Sequence, residues 1–282
     1  MKLVLRITGI LILIVLVGAF VFAFTKTPQS DRDWSEEFSQ TSSANITVDG
    51  KIHITNVRDW TYDEGITISK DWREVTIDPT TIKRVWFVTE PFSSWTAVGH
   101  TFLSFEFSDG TVLSFSIEAR REVGEKYSAL RGLFNTYELA YQWGTERDFV
   151  TRRLLYLNHP VRRYPLTLDH DMAEGLFRGA VERTNALAEK PRFYNTFTEN
   201  CTNALAYIVN GIAPHTLPYD LSWQLTGYAD LYLMKQGFIE LTDNSQDATR
   251  DAHDLTKWKT EIQAATTMQA KEFSALLNTK LE

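Results

Sequence analysis

The chain opens on one unbroken apolar stretch. Ile7–Phe24 is interrupted only by Thr8 and the glycines Gly9 and Gly18, and the basic residues Lys2 and Arg6 precede it. A predominantly apolar run of eighteen residues is long enough to span a bilayer, and the basic flank predicts a cytoplasmic N-terminus. Residues 1–24 therefore read as a transmembrane anchor. The rival reading is a signal peptide cleaved after Val21-Phe22-Ala23. Either way the remainder is exported. Thr25–Asn45 is polar and reads as a tether.

Strand patterns follow. Ile46–Val48 and Ile52–Val57 flank Asp49-Gly50 and predict a hairpin. Glu74–Glu90 continues with β-branched and aromatic residues, and His100–Ala119 carries the clearest alternation in the chain. Helical spacing appears later. Met172, Leu176, Ala180, Val181 and Leu187 recur at near-helical intervals within Leu168–Lys190, ahead of Pro191. A loop marked by Pro214 and Pro218 comes next, then an apolar stretch over Tyr228–Phe238. The tail from Ala252 reads as one charged amphipathic helix. Strands first and helices second predict one α+β domain over 46–250, with a C-terminal helical tail over 251–282.

The register of the strongest hairpin follows from its pattern. A two-residue Asp109-Gly110 turn would set Leu103 against Ser116 and mix polar with apolar residues on both faces. A three-residue loop, Ser108-Asp109-Gly110 with Gly110 left-handed, sets Leu103 against Phe115, Phe105 against Leu113 and Thr101 against Ile117. One face then becomes almost wholly apolar, which is what normally fixes register. On the other face His100 stands opposite Glu118, with Cβ atoms roughly 4.5–5.5 Å apart. A carboxylate there orients the imidazole and favours its charged form. Taken alone, this is a base with its orienting partner or an ordinary cross-strand ion pair.

The chain has one cysteine, Cys201. Asn200 is a good N-cap and Gly211 a good stop, so Cys201 opens a helix whose first turn favours a thiolate. Cys201, Leu205 and Ile208 share one stripe, so the thiol faces whatever the helix packs on. Two readings stand together: a nucleophile, or a small core residue. Of the other histidines, His159 and His170 read as loop or helix-end residues. His53 lies on the first hairpin, His215 in the proline loop and His253 in the tail.

Composition narrows the function. The net charge of -7 and pI near 5.5 argue against nucleic-acid binding. One cysteine supplies neither a zinc set nor an internal disulfide. No phosphate-binding glycine loop and no repeat are present, so neither a cofactor nor a metal is expected.

A strand histidine, a polar partner on the next strand and a cysteine opening a later helix resemble the circularly permuted NlpC/P60 (papain-like) thiol hydrolases. That superfamily includes the lecithin:retinol acyltransferase-like proteins. The chain resembles more closely a bacterial family named for the periplasmic N-terminal domain of Lnb, a lipoprotein N-acyltransferase. The stretches that carry this are Ile54–Tyr62, Gly99–Gly110, Ser114–Ser128, Tyr137–Asp148 and Glu199–Leu205, within about Ser35 to Leu241. The resemblance implies a papain-like α+β fold with an antiparallel sheet packed on helices. It implies Cys201 as nucleophile, His100 as base and Glu118 as the third member, with Asn200 and Thr202 supporting the helix start. Arg120, Arg121, Glu122, Glu146, Arg147 and Asp148 also match, without a derivable role. The family's namesake carries further membrane helices after this domain, whereas here a polar tail follows.

Three functions are carried forward. The first is an inner-membrane-anchored thiol acyltransferase or acyl hydrolase acting on membrane lipid or lipoprotein substrates, with its domain in the periplasm. The second is a cysteine peptidase or amidase on cell-wall peptides. The third is a non-catalytic envelope binding or scaffold protein.

Overall fold

The computed structural model describes every residue except Met1, Pro214 and Glu282, so the loop proline and the outermost residues of the expected anchor and tail lie outside it. A helix, α1 (Lys2–Thr25), comes first. Its described apolar side chains are exposed, Ile10, Leu13 and Val15 among them. Among the described residues, which leave out several side chains within α1, no helix is long and apolar enough to cross a membrane.

The sheet strands follow as β1 (Ser43–Ile46), β2 (Ile52–Arg58), the small β3–β4 hairpin (Thr61–Asp63, Ile66–Ser69), β5 (Trp72–Ile77), β6 (Ile82–Glu90), β7 (His100–Phe107), β8 (Val112–Arg120) and β9 (Glu138–Thr145). After α2 (Glu146–Thr151) and one π-helical turn (Arg152–Tyr156) comes β10 (Arg162–Pro165). The remaining helices are α3 (His170–Glu189), α4 (Cys201–Ile212), α5 (Ala229–Gln236), α6 (Gln246–Ala252), α7 (Lys259–Ala264) and α8 (Ala270–Leu281). The fold is α+β.

The large sheet runs β1-β2-β9-β8-β7-β6-β10, with β5 on β2. It is mixed, where an antiparallel sheet was expected. β2 lies parallel to β9, with Arg58 beside Gly144. Glycine allows that approach: a Cβ on Gly144 would stand 3.0 Å from the Arg58 carbonyl oxygen and closer still to the Phe149 ring.

The β7–β8 hairpin has the expected register. Leu103 pairs with Phe115 and Phe105 with Leu113. Gly110 is left-handed at φ +83°, and the Phe107 N–H donates to the Thr111 carbonyl at 2.9 Å. The alternation faces two cores. Leu103, Phe105 and Phe107 join the core under α3 and α4, where Phe177 packs edge-on against Phe105, Phe107 and Trp143. Phe102 points the other way, into a second core with Phe149, Leu154, Leu255, Phe273 and Leu277.

Two sequence expectations change here. The tail is not one helix. Arg147 donates to the Met268 carbonyl and the Thr266 hydroxyl donates to the Tyr62 carbonyl, so the segment between α7 and α8 is held from outside and the helical ladder breaks. The stretch read as a tether docks from Gln29 onward, where its N–H donates to Glu138 Oε1. Arg32 pairs with Glu122 and Glu138, Trp34 bridges Glu122, and Arg120 donates to the Phe38 carbonyl while its guanidinium lies 4.1 Å from the Trp34 ring centroid. The first strand accordingly starts earlier than expected, at Ser43.

The other charged residues of the matching stretches also hold the fold together. Asp148 clamps Arg58, Arg147 reaches Asp59, Arg121 reaches Glu37, and Glu146 pairs with Arg163 at 2.8 Å with both side chains fully buried. Burying such charges is tolerable only when each is paired.

Candidate active site

The start of β7 is fixed by a clasp. Gly99 donates to the Thr226 hydroxyl, which donates back to the Gly99 carbonyl, and the Gly227 N–H donates to the Ala97 carbonyl. The backbones touch: a Cβ on Gly227 would lie 2.0 Å from the Thr96 carbonyl oxygen. His100 is thereby held at the end of the sheet.

Cys201 meets it there. It is buried and opens α4. The Asn200 side chain accepts from the N–H groups of Thr202 and Asn203 at 2.8 and 2.9 Å, and the Asn203 side chain accepts from the Asn200 N–H at 3.0 Å. A helix start leaves four N–H groups without intrahelical partners. This cap satisfies three of them. The fourth, on Cys201 itself, donates to no described residue. Asn200 also donates to the Trp223 and Thr196 carbonyls, which locks the cap in place.

The structure brings Cys201, His100 and Glu118 together. His100 and Cys201 line the same cavity, and His100 Nε2 lies 3.1 Å from Glu118 Oε1. Ser116 bridges the same pair, 2.8 Å from Nε2 and donating to Glu118 Oε1 at 2.7 Å. Thr202 lies beside Thr101, the two hydroxyls 3.3 Å apart.

Charge follows from this geometry. Burial alone would lower the His100 pKa, but the Glu118 carboxylate and the Cys201 sulfur outweigh it and raise the ring to about 10. Burial pushes the Cys201 thiol up, and the His100 charge with hydrogen bonds from His100 and Thr101 brings it below its ordinary value. Burial likewise opposes the charge on Glu118, yet His100 and Arg153 hold it well below the usual carboxylate range. Both shifts favour the thiolate–imidazolium form of the pair.

Several residues here escaped the sequence reading. Glu90 stands directly opposite His100 on β6, so His100 sits between two carboxylates on flanking strands. Arg153, buried over the Phe102 ring at 4.5 Å, ion-pairs with both: Nε to Glu90 at 2.8 Å and Nη2 to Glu118 at 2.9 Å. It comes from the π-helical turn, a geometry often found at functional sites. His159, read as a loop histidine, lies in a loop and sets Nδ1 2.6 Å from Glu90. Ser116 alone was legible, two residues before Glu118 on the same strand face. A cavity of about 200 Å³ opens over this group, lined by Cys201, His100, His159, Phe92, Tyr127 and Tyr194 among others. Among the described residues, no cluster of His, Cys, Asp and Glu is arranged to hold a metal ion.

The other histidines stand apart. His53 faces Thr76 on β5, His170 starts α3, His215 adopts φ +66° in the loop after α4, and His253 lies against Tyr164.

A family described as the Lnb N-terminal periplasmic domain matches residues 69–227. No curated protein and no solved structure matches the chain.

Proposed function

The chain belongs to the Lnb N-terminal periplasmic domain family, and from that premise we propose that it is an envelope thiol acyltransferase or acyl hydrolase with a permuted papain-like site. The observation that carries this reading is the meeting of a buried thiol, an imidazole and a carboxylate beside the unpaired N–H of Cys201. A thiol lowered by a neighbouring imidazolium is the more readily used as a thiolate nucleophile.

In this reading the Cys201 thiolate attacks an ester or amide carbonyl. The oxyanion takes a hydrogen bond from the Cys201 N–H, a donor fixed in place before reaction. The tetrahedral intermediate collapses to a thioester, and imidazolium His100 protonates the leaving group. An acceptor then attacks the thioester, His100 takes its proton, and the thiolate leaves. Glu118 and Ser116 keep the ring oriented through both steps.

The domain works in the periplasm, as the family's description states for its members. The exposed apolar side chains of α1 and the length of Ile7–Phe24 support an inner-membrane anchor with a cytoplasmic N-terminus. An anchor there would hold the cavity near lipid or lipoprotein acyl donors.

The test is a covalent trap. Full-length protein in detergent is mixed with a membrane phospholipid extract, quenched in acid and analysed by intact mass. A fatty-acyl adduct on Cys201, absent in Cys201→Ala and His100→Ala, is the expected result. An adduct of cell-wall peptide mass, obtained with peptidoglycan fragments instead, replaces acyl transfer by peptidase or amidase chemistry. No adduct with either, together with iodoacetamide labelling no faster than free cysteine, removes the catalytic reading.

A further inference from the structure

Four loops meet at the end of the sheet that holds His100. β6 to β9 run antiparallel, so Glu90, His100, Arg120 and Glu138 stand at one end. Residues 91–99 join β6 to β7 there, and 121–137 join β8 to β9. Residues 192–200 lie beside them, because the Leu139 N–H donates to the Arg192 carbonyl and the Tyr194 N–H to the Tyr137 carbonyl. Residues 217–228 complete the group: Gln224 donates to the Phe197 carbonyl at 3.3 Å, and the Thr96 and Tyr228 hydroxyls lie 2.9 Å apart. Each loop holds large apolar side chains out to solvent. Trp95, Phe197 and Leu221 are 63%, 55% and 64% exposed, and Leu130, Phe134 and Tyr219 are exposed as well. The backbone beneath them is braced. Thr196 donates to the Ala129 carbonyl at 2.7 Å, Asn203 to the Phe197 carbonyl at 3.2 Å, and the Val98 N–H to the Trp95 carbonyl at 3.0 Å. Apolar tips held out from fixed loops mark an interaction surface.

We infer that this rim docks on a lipid bilayer, its six apolar tips seated among the headgroups so that the Cys201 cavity opens onto the leaflet. The inference rests on the reading of α1 as an anchor. The occupant follows from where that anchor joins the body. α1 ends at Thr25, and the Gln29 N–H already donates to Glu138 Oε1, at the start of β9. Arg32 then grips Glu138 and Glu122. The stretch from Thr25 to Gln29 reaches at most roughly 14 Å. An anchored α1 therefore holds this end of the sheet close to the bilayer. The β7–β8 turn lies a whole strand away, about 27 Å along β7. The residue types agree, since tryptophan and tyrosine favour the membrane interface. So does the charge: the four loops together carry four basic and four acidic residues. Docking of this kind works by apolar insertion and not by attraction to anionic lipid. Rim and cavity share their loops. Phe92 and Tyr194 line the cavity, and Trp95 and Phe197 stand three residues further along the same segments.

The experiment reads probe depth in the full-length chain. With Cys201→Ala as background, one new cysteine is placed by Trp95→Cys, Phe197→Cys, Leu221→Cys, Ser108→Cys or Val15→Cys and labelled with the polarity-sensitive dye NBD. Each protein is reconstituted into phosphatidylcholine nanodiscs, with and without phospholipid bearing a nitroxide near the acyl carbonyl. The three rim probes are expected to emit to the blue and to be quenched roughly twofold or more by the nitroxide, as befits interfacial depth. About 1 M salt leaves this unchanged, because the loops carry no net charge. The probe at Ser108, exposed in the β7–β8 turn, is expected to stay in water and unquenched. Adding Trp95→Ser and Leu221→Ser together is expected to lower the quenching at Phe197→Cys. Rim probes that remain in water while the Val15 probe is shielded from it overturn the inference and leave the anchor standing. A Val15 probe that is also in water removes both. Blue-shifted rim emission that the lipid nitroxide does not quench overturns the bilayer in favour of a protein partner or a second copy of the chain. Equal quenching at Ser108 and the rim overturns the assignment of this end.

Discussion

Replacing Glu118 by Gln asks whether that carboxylate holds His100 in its charged form. The substitution keeps the shape and removes one negative charge 3.1 Å from Nε2. At an effective dielectric of about 20, a pair this close interacts by roughly 5 kcal/mol, an upper bound on what is lost. His100 and Glu118 are partly open to the cavity, at 13% and 21% side-chain exposure, so water screens part of it. Opposite charges at such distances shift a pKa by about 1–3 units, which is the expected fall in Glu118→Gln. The sign follows from the direction of the wild-type shift. His100 is raised to about 10, so its charged form survives up to that pH and is lost above it. The acidic limit belongs to Cys201, whose thiol is lowered by His100, so its thiolate persists at lower pH than in an ordinary thiol. The reactive pair therefore exists between those two limits, and the two groups titrate as one coupled system. The assay is the rate of iodoacetamide labelling from pH 5 to 11, read with thiolate absorbance near 240 nm. In the variant, the titration of His100 seen by NMR and the alkaline boundary of the ion pair move down by about 1–3 pH units. The acidic limb does not move up, because removing a neighbouring negative charge cannot make the thiolate less favourable directly. A variant whose alkaline boundary stays within about 0.3 units of the wild type refutes the reasoning. Glu118 would then be a partner of Arg153 alone.

Three further predictions follow from the packing around the site. Asn200→Ala removes the acceptor for two first-turn N–H groups and two side-chain donations, so it should cost about 1–2 kcal/mol of stability and slow Cys201 labelling, read by denaturant melts and alkylation. Gly227→Ala puts a methyl group against the Thr96 carbonyl and should destabilise by roughly 1–3 kcal/mol, displacing the start of β7; an unchanged melting temperature and labelling rate would count against the clasp. Arg163→Ala strands a fully buried Glu146 and should cost about 3–5 kcal/mol, while the paired change of Arg163 to Met and Glu146 to Leu should recover most of it.

How much of this was legible in the sequence depends on how local the cause was. The β7–β8 register could be read because Leu103, Phe105, Leu113 and Phe115 form one apolar face only with Gly110 left-handed. The same register brings His100 to Glu118. The start of α4 could be read because Asn200 is a side-chain cap acting over three residues. The cause of the tail's break could not. It lies in Arg147 and Tyr62, more than a hundred residues away, which hold the Met268 carbonyl and the Thr266 hydroxyl between α7 and α8. The docking of Arg32–Phe38 was hidden for the same reason: a polar segment looks like a linker until its charges meet Glu122, Glu138 and Arg120.

Arg153 and His159 are the instructive case, because each alone has an ordinary sequence context. What gives them a place is the row Glu90, His100, Glu118 across three adjacent strands, two carboxylates flanking one imidazole. Two buried carboxylates this close would raise each other's pKa unless a cation lay between them. The π-helical turn delivers Arg153 as that cation, bound to both. On Glu90, Arg153 and His159 take separate oxygens, and on Glu118, Arg153, Ser116 and His100 share Oε1. The site is thus built as two histidine–carboxylate pairs joined through one arginine.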